Sequence, residues 1–195
     1  MQKKVQDIAQ VISGYTFRSP VEKDPNGKVF VLQATNVDSA RDITETGEFA
    51  RISSEPPRAM SYLEYNDVLL VSRGSGLGSF RATVFALDET NVIASSSVHI
   101  IRIKDVTVLP KYISLYLNSD DGQKKISQVV TGGSYIQSIL RKNLEDIDIP
   151  IPPMIKQKSI IALHENIKRQ EEILERKSYL KKNIISATFK NLTTK

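Results

Sequence analysis

Glycine and proline stop abruptly in this chain. Ile147-Asp148-Ile149-Pro150-Ile151-Pro152-Pro153 is too proline-rich for a helix interior or a central strand, and none of the residues after Pro153 is glycine or proline. The tract therefore reads as a stiff extended connector. The sequence beyond it predicts one long helix from about Lys156 to Phe189, roughly 50 Å at 1.5 Å per residue. A 3.6-residue period sets Ile160, Leu163, Ile167, Leu174, Ile185 and Phe189 on one stripe, interrupted by Gln170 and Lys181. The other face carries Lys168, Arg169, Glu172, Arg176 and Lys182. A narrow apolar stripe on a long charged helix calls for a partner helix, and folding back on its own domain is the alternative. The division expected is residues 1–152 as one domain and 153–195 as a helix for pairing and docking.

The first 150 residues have a different texture. Short apolar segments alternate with Gly, Ser, Asn and Pro. Val5, Ile8, Ala9 and Ile12 fall at helical spacing, with Gly14 as a stop. Val29 to Thr35 is a strand signal after the turn Asp24-Pro25-Asn26-Gly27. Phe49–Ile52, Asp67–Ser72, Ala82–Leu87 and Val98–Ile103 are further strand candidates. Pro110 opens a helix through Leu117, and a second helix, about Gly122 to Val130, is broken at Thr131-Gly132-Gly133-Ser134. These elements predict an α+β fold: one curved, mostly antiparallel sheet with flanking helices, then the long helix. There is no internal repeat.

The chain has 195 residues, 40 % of them hydrophobic and 25 % charged, which suits a folded protein with a real core. No apolar run approaches a membrane span, the N-terminus lacks a signal peptide's apolar stretch, and there is no cysteine, so a cytoplasmic protein is expected. The net charge of +5 favours a polyanionic partner, because Lys and Arg that neutralise phosphates release counterions.

Chemistry is hard to find. Of the two histidines, His99 lies on an apolar strand face and reads as a core residue, and His164 falls at a solvated helix position. They share no ligand spacing, so no metal site is expected. Arg73-Gly74-Ser75-Gly76-Leu77-Gly78 is no P-loop, since no Gly-Lys-Ser/Thr follows. It is either a tight hairpin connection or a backbone cradle for phosphate, with Arg73 and Arg81 flanking it. The proline tract lacks the amide or acid and the aromatic of an adenine methyltransferase motif, and no loop suits S-adenosylmethionine.

Several motifs occur in a specific order. Ser13-Gly14-Tyr15-Thr16-Phe17 ends the first segment, and Leu63-Glu64-Tyr65-Asn66-Asp67-Val68-Leu69-Leu70-Val71-Ser72-Arg73-Gly74-Ser75 follows. Then come Pro110-Lys111-Tyr112-Ile113-Ser114-Leu115-Tyr116-Leu117-Asn118-Ser119, Gly132-Gly133 and Ile136, Leu144 through Pro153, Gln157 and the long helix. Together they resemble the target recognition domain and conserved helix of type I restriction-modification specificity subunits, over nearly the whole chain. Met154-Ile155-Lys156 departs from the Leu-x-Glu more usual before the glutamine. A full-length subunit of that family carries two recognition domains and two helices. This chain has one of each and so resembles a half-subunit.

The resemblance implies a non-catalytic subunit that reads duplex DNA and directs adenine methylation, and often restriction, to a bipartite site. It implies a methyltransferase partner that binds S-adenosylmethionine, so that this chain binds no cofactor itself, and often a translocating nuclease subunit. A second copy, paired through the helix, is the expected substitute for the missing half. For the DNA face, loop polar residues are candidate base readers: Gln33, Thr35, Asn36, Arg41, Ser134, Tyr135 and Gln137. Candidate phosphate contacts are Arg18, Arg58, Arg73, Arg81, Arg141 and Lys142, with Ser75 in the glycine-rich loop. Two other readings compete: a decoy or interaction protein that binds a methyltransferase through the helix without reading DNA, and a small enzyme, which the lack of an acid-base cluster disfavours.

Overall fold

The computed structural model describes residues 1–18, 23–53, 62–76, 78–133 and 135–193. The chain divides into two compact units, Met1–Gln157 and Lys158–Lys195.

The first unit is built on a four-stranded antiparallel sheet. Its strands are β2 (Ala9–Ser13), β5 (Val68–Val71), β7 (Ala82–Val84) and β9 (Val98–Ile103), in the order β2-β9-β5-β7. Register sets Leu69 opposite Ile100 and Val71 opposite Val98. One face of this sheet packs on a three-stranded sheet of β4 (Ala50–Ile52), β3 (Val29–Leu32) and β8 (Val92–Ala94). Ile12, Leu32, Leu69, Val71, Phe85, Val92 and Ile100 form the core between the two. The helices α2 (Pro110–Asn118) and α4 (Arg141–Glu145) pack against the four-stranded sheet, α2 on β5 and β7 and α4 on β2. All four residues of β5 are buried, which explains an apolar run without alternation.

The edge of β7 is closed by a side chain. The Asn118 amide donates to the Ala82 carbonyl and its oxygen accepts from the Ala82 N–H, each at 2.8 Å, as a neighbouring strand would. Serine 119 caps the next helix, α3 (Asp120–Val129), accepting from the Gly122 N–H. At the other end of the sheet, Asp67 is buried and accepts two hydrogen bonds from Arg102, at 2.9 and 2.8 Å.

The architecture is α+β and mostly antiparallel, as the sequence predicts, with two differences. Among the described residues the strands form four small sheets rather than one, and β3 pairs with β8 in parallel. Each strand spans only two to six residues, so the ladders are short. The second difference lies at the N-terminus. Only Val5–Ile8 is helical (α1), a single turn, and Ala9–Ser13 is a strand paired with β9. Val5, Ile8, Ala9 and Ile12 are all buried, but the last two face their neighbours from an extended backbone.

The proline tract is extended. Asp148–Pro150 (β12) pairs with Gln2–Lys4 (β1) as a two-stranded sheet, and the Tyr112 hydroxyl donates to the Pro150 carbonyl at 2.6 Å. Beyond it, α5 runs from Met154 to Thr193, 40 residues. The first unit extends past residue 152 because Gln157 is fully buried in it. In the second unit Ile160, Leu163, Ile167, Leu174, Ile185 and Phe189 are all exposed, as are Ile173, Leu180 and Ile184. Among the described residues no helix is long and apolar enough to cross a membrane.

Candidate nucleic-acid interface

Antiparallel register brings distant loops to one end of the central sheet. Ser13 pairs opposite His99, Val71 opposite Val98, and Leu70 opposite Ala82. The chain therefore leaves or enters this end at residues 14–18, 72–81 and 95–97. A fourth loop joins them, the single 3-10 turn Ala34–Asn36 after β3. Hydrogen bonds tie these loops together. The Ala34 N–H donates to the Ser97 hydroxyl at 3.2 Å, the Ser72 N–H to the Ser97 carbonyl at 2.8 Å, and the Ser72 hydroxyl to the Ser96 carbonyl at 3.0 Å.

A small sheet continues outward from β5. Arg73–Gly74 (β6) pairs with Gln137–Ile139 (β11), which pairs with Val130–Gly132 (β10). Gln137 lies opposite Gly74 and Ser138 opposite Arg73, while the Ile139 N–H donates to the Ser72 carbonyl at 2.9 Å. Two groups of residues that the sequence offered separately, Arg73 and Ser75 on one hand and Tyr135 and Gln137 on the other, thus become neighbours. Arg73, Ser75, Tyr135, Arg141 and Lys142 are exposed, and Gln137 is half-buried. Arg141 is partly neutralised by Glu145, its Nε donating at 2.8 Å.

The glycine-rich loop connects antiparallel neighbours β5 and β7 and is closed internally. The Ser79 N–H donates to the Gly76 carbonyl at 3.2 Å, and Ser79 Oγ accepts from the Ser75 N–H at 3.3 Å. Gly76 and Gly78 have φ of 137° and 81°, conformations that a side chain disfavours. This fits the hairpin-connection reading, and the Ser75 N–H, one of those that would cradle phosphate, is spent within the loop. Behind this loop lies a cleft of about 390 Å³ lined by Gly76, Phe80, Gln123, Ile126 and Gln137 among others.

His99 is buried beneath β11, with Nε2 at 2.7 Å from the Ile139 carbonyl, so it is a core histidine. Desolvation pushes its pKa down, the Ile139 carbonyl opposes this, and the positive fields of Arg141 and Arg73 push it lower still. Both arginines therefore act on one buried ring.

Other candidates play different parts. Arg81 is half-buried, and its guanidinium donates to the Val37 carbonyl at 2.9 Å and the Ala34 carbonyl at 3.3 Å. Expected at a phosphate, it instead holds the 34–37 turn. The Asn36 side-chain oxygen accepts from the Gln33 N–H at 2.8 Å and so shapes the same turn, from which Thr35 is exposed and Gln33 half-exposed. Arg41 is exposed beside β7, its carbonyl accepting from the Thr83 hydroxyl. Arg18 is exposed beyond the end of β2. Arg58 and Ser134 lie outside the described residues. The Ser95-Ser96-Ser97 turn, which links the loops, was not singled out from the sequence, although a triple serine before a strand is a visible turn signal. Among the described residues no group of acids and histidines could hold a metal ion.

Comparison with known proteins shows the family and the fold. Residues 1–182 match the family described as the type I restriction modification DNA specificity domain, and the chain belongs to that family. Its fold is similar to a chain in a structure of the assembly and conformational transition of the type I R-M system, with TM-score 0.68 and 16 % identity over 96 % of this chain and 43 % of that one. It is also similar to the HsdS subunit from Thermoanaerobacter tengcongensis, with TM-score 0.62 and 19 % identity over 90 % and 39 %. The type I restriction-modification system S subunit from M. genitalium gives 0.58 and 15 % over 90 % and 41 %. This chain thus spans less than half the length of these solved relatives. No curated protein sequence matches it.

Proposed function

We propose that this chain reads one half of a bipartite DNA site and holds a methyltransferase subunit on it. In this reading the loops at one end of the central sheet face the duplex, with Arg73, Arg141 and Lys142 at phosphates and Gln33, Thr35 and Gln137 at base edges. The observation that carries it is convergence: loops from four separate stretches of sequence, tied by serine hydrogen bonds, bring the exposed Arg73 and Thr35 and the half-exposed Gln33 to one end of the sheet. Phosphate contacts fix position and base contacts discriminate, so a reader needs both kinds side by side.

The helix supplies assembly. Two copies pair antiparallel through the exposed stripe of α5, which sets the spacing between two half-sites. A two-fold pair reads the same half-site in opposite senses, so the site is a palindrome with an unread spacer. The partner methyltransferase binds S-adenosylmethionine and methylates adenine, a nuclease subunit joins where restriction occurs, and this chain performs no chemistry.

The test is binding of the full chain, alone and with its methyltransferase, to duplex DNA across a salt series. Each phosphate contact contributes about −0.9 to the slope of log affinity against log salt concentration. A steep negative slope is expected, and a flat one would contradict the reading.

A further inference from the structure

We propose that Tyr135 and Ile136, at the tip of the β10–β11 hairpin, form an apolar wedge that enters duplex DNA between adjacent base pairs and unstacks them. The inference rests on the reading above, that this end of the sheet faces DNA.

Tyr135 is 88 % exposed and Ile136 68 % exposed. A lone exposed apolar residue is ordinary on any surface. Here two adjoin at the end of one hairpin, whose facing strand carries Arg73 and runs on into Ser75. The hairpin is also firmly based. Gly132 pairs opposite Gln137, and β11 is bonded in turn to β6 and, through the Ile139 N–H, to Ser72. Gly132 has φ of 126°, and a Cβ there would lie 2.4 Å from the Ile136 carbonyl oxygen, so the turn closes tightly behind the pair. The two side chains therefore stand at the end of a three-residue ladder.

Charge selects the occupant. Arg73 lies on the strand that pairs with the one leading out of the tip, directly opposite Ser138. An apolar pair backed by a cation on the adjoining strand fits a duplex, whose phosphates border a stacked apolar interior. Proteins that insert apolar side chains at a base step combine these two features, and the resulting kink lets more of the protein reach the backbone.

The experiment uses the full chain without any methyltransferase, so that no base is displaced for catalysis. Duplexes recovered by the chain from a randomised pool are rebuilt with 2-aminopurine at each purine position in turn, and fluorescence is read at saturating protein. A several-fold rise at one step is expected. The Tyr135→Ala/Ile136→Ala double variant should lose the rise and bind about tenfold more weakly, with an unchanged urea midpoint because both side chains are exposed. Arg73→Ala should keep the rise once saturated. Bound wild-type chain with no rise at any position would overturn the wedge while leaving DNA reading intact, as would a double variant that keeps the rise. Recovery of no duplex at all would overturn the underlying reading, and the wedge with it.

Discussion

Gln157 is the residue whose burial says most about how the first unit ends. Its side-chain oxygen accepts from the Leu109 N–H at 2.9 Å, and its amide donates to the Thr107 carbonyl at 2.8 Å and the Pro152 carbonyl at 2.9 Å. One side chain thus fastens the proline tract and the first turn of α5 to the turn preceding α2. A glutamine in the first turn of a charged helix reads as solvated from sequence, so its motif position was visible but its work was not. Gln157→Ala leaves three backbone groups without their partner in a dry place. A loss of about 2–3 kcal/mol is expected, seen as a lower urea midpoint. Gln157→Glu should also destabilise, because a carboxylate cannot donate to the two carbonyls. His99 provides a second residue-level test. Burial holds its folded pKa below the ordinary value of about 6.5. As pH falls through that value, the unfolded chain takes up a proton that folded His99 refuses, so stability falls with acid over this window and is constant above it. The carboxylates with lowered pKa values, Asp24, Asp105 and Asp146, lose stability only at lower pH. Urea midpoints from pH 7 to 5 should fall for the wild type and fall less for His99→Gln. Equal slopes would contradict this.

At the scale of elements, legibility followed punctuation. Pro110 at the first turn of α2, the Asp24 side chain accepting from the Asn26 N–H, and the buried strands β5 and β9 were readable because each carries a local signature. Ala9–Ser13 was not, since Val5, Ile8, Ala9 and Ile12 satisfy helical spacing while pairing with β9 decides the outcome. The division into four sheets was equally hidden, because it depends on which strand edges meet. The candidate site was legible as residue types but not as an assembly: nothing local indicates that Gly74 and Gln137 are paired. Arg81 shows the consequence. From sequence it belongs with Arg73, whereas the structure makes it the clamp of the 34–37 turn. The two arginines should therefore fail differently. Arg73→Ala is expected to weaken binding to all duplexes alike, by several-fold at moderate salt. Arg81→Ala should shift preference at the base pairs read from the 33–36 turn, and Arg81→Lys should not restore it, since an ammonium lacks the planar fork that reaches both carbonyls. Selection on randomised duplexes with each variant separates the two, and identical shifts would refute the distinction.

At the scale of the whole molecule, one recognition unit and one helix occur in a chain that covers 39–43 % of its solved relatives. The stripe of α5 is apolar and exposed at six positions, and covering it with a second copy would remove that surface from water at about 25 cal/mol per Å², less the costs of ordering and association. In the proposed pair, Gln170 and Lys181 within the stripe would weaken association but fix its register. Because a two-fold pair reads one half-site twice, the sequence of the methylated site reports the assembly directly. The decisive measurement is sequencing of methylated adenines in cells with this gene intact, deleted, and restored with the Arg73→Ala variant. The account predicts a bipartite palindromic motif that disappears on deletion and returns incompletely with the variant. A methylation pattern identical with and without the gene would contradict the claim that this chain reads DNA for a methyltransferase, and a motif with two unlike half-sites would contradict pairing with a second copy of itself.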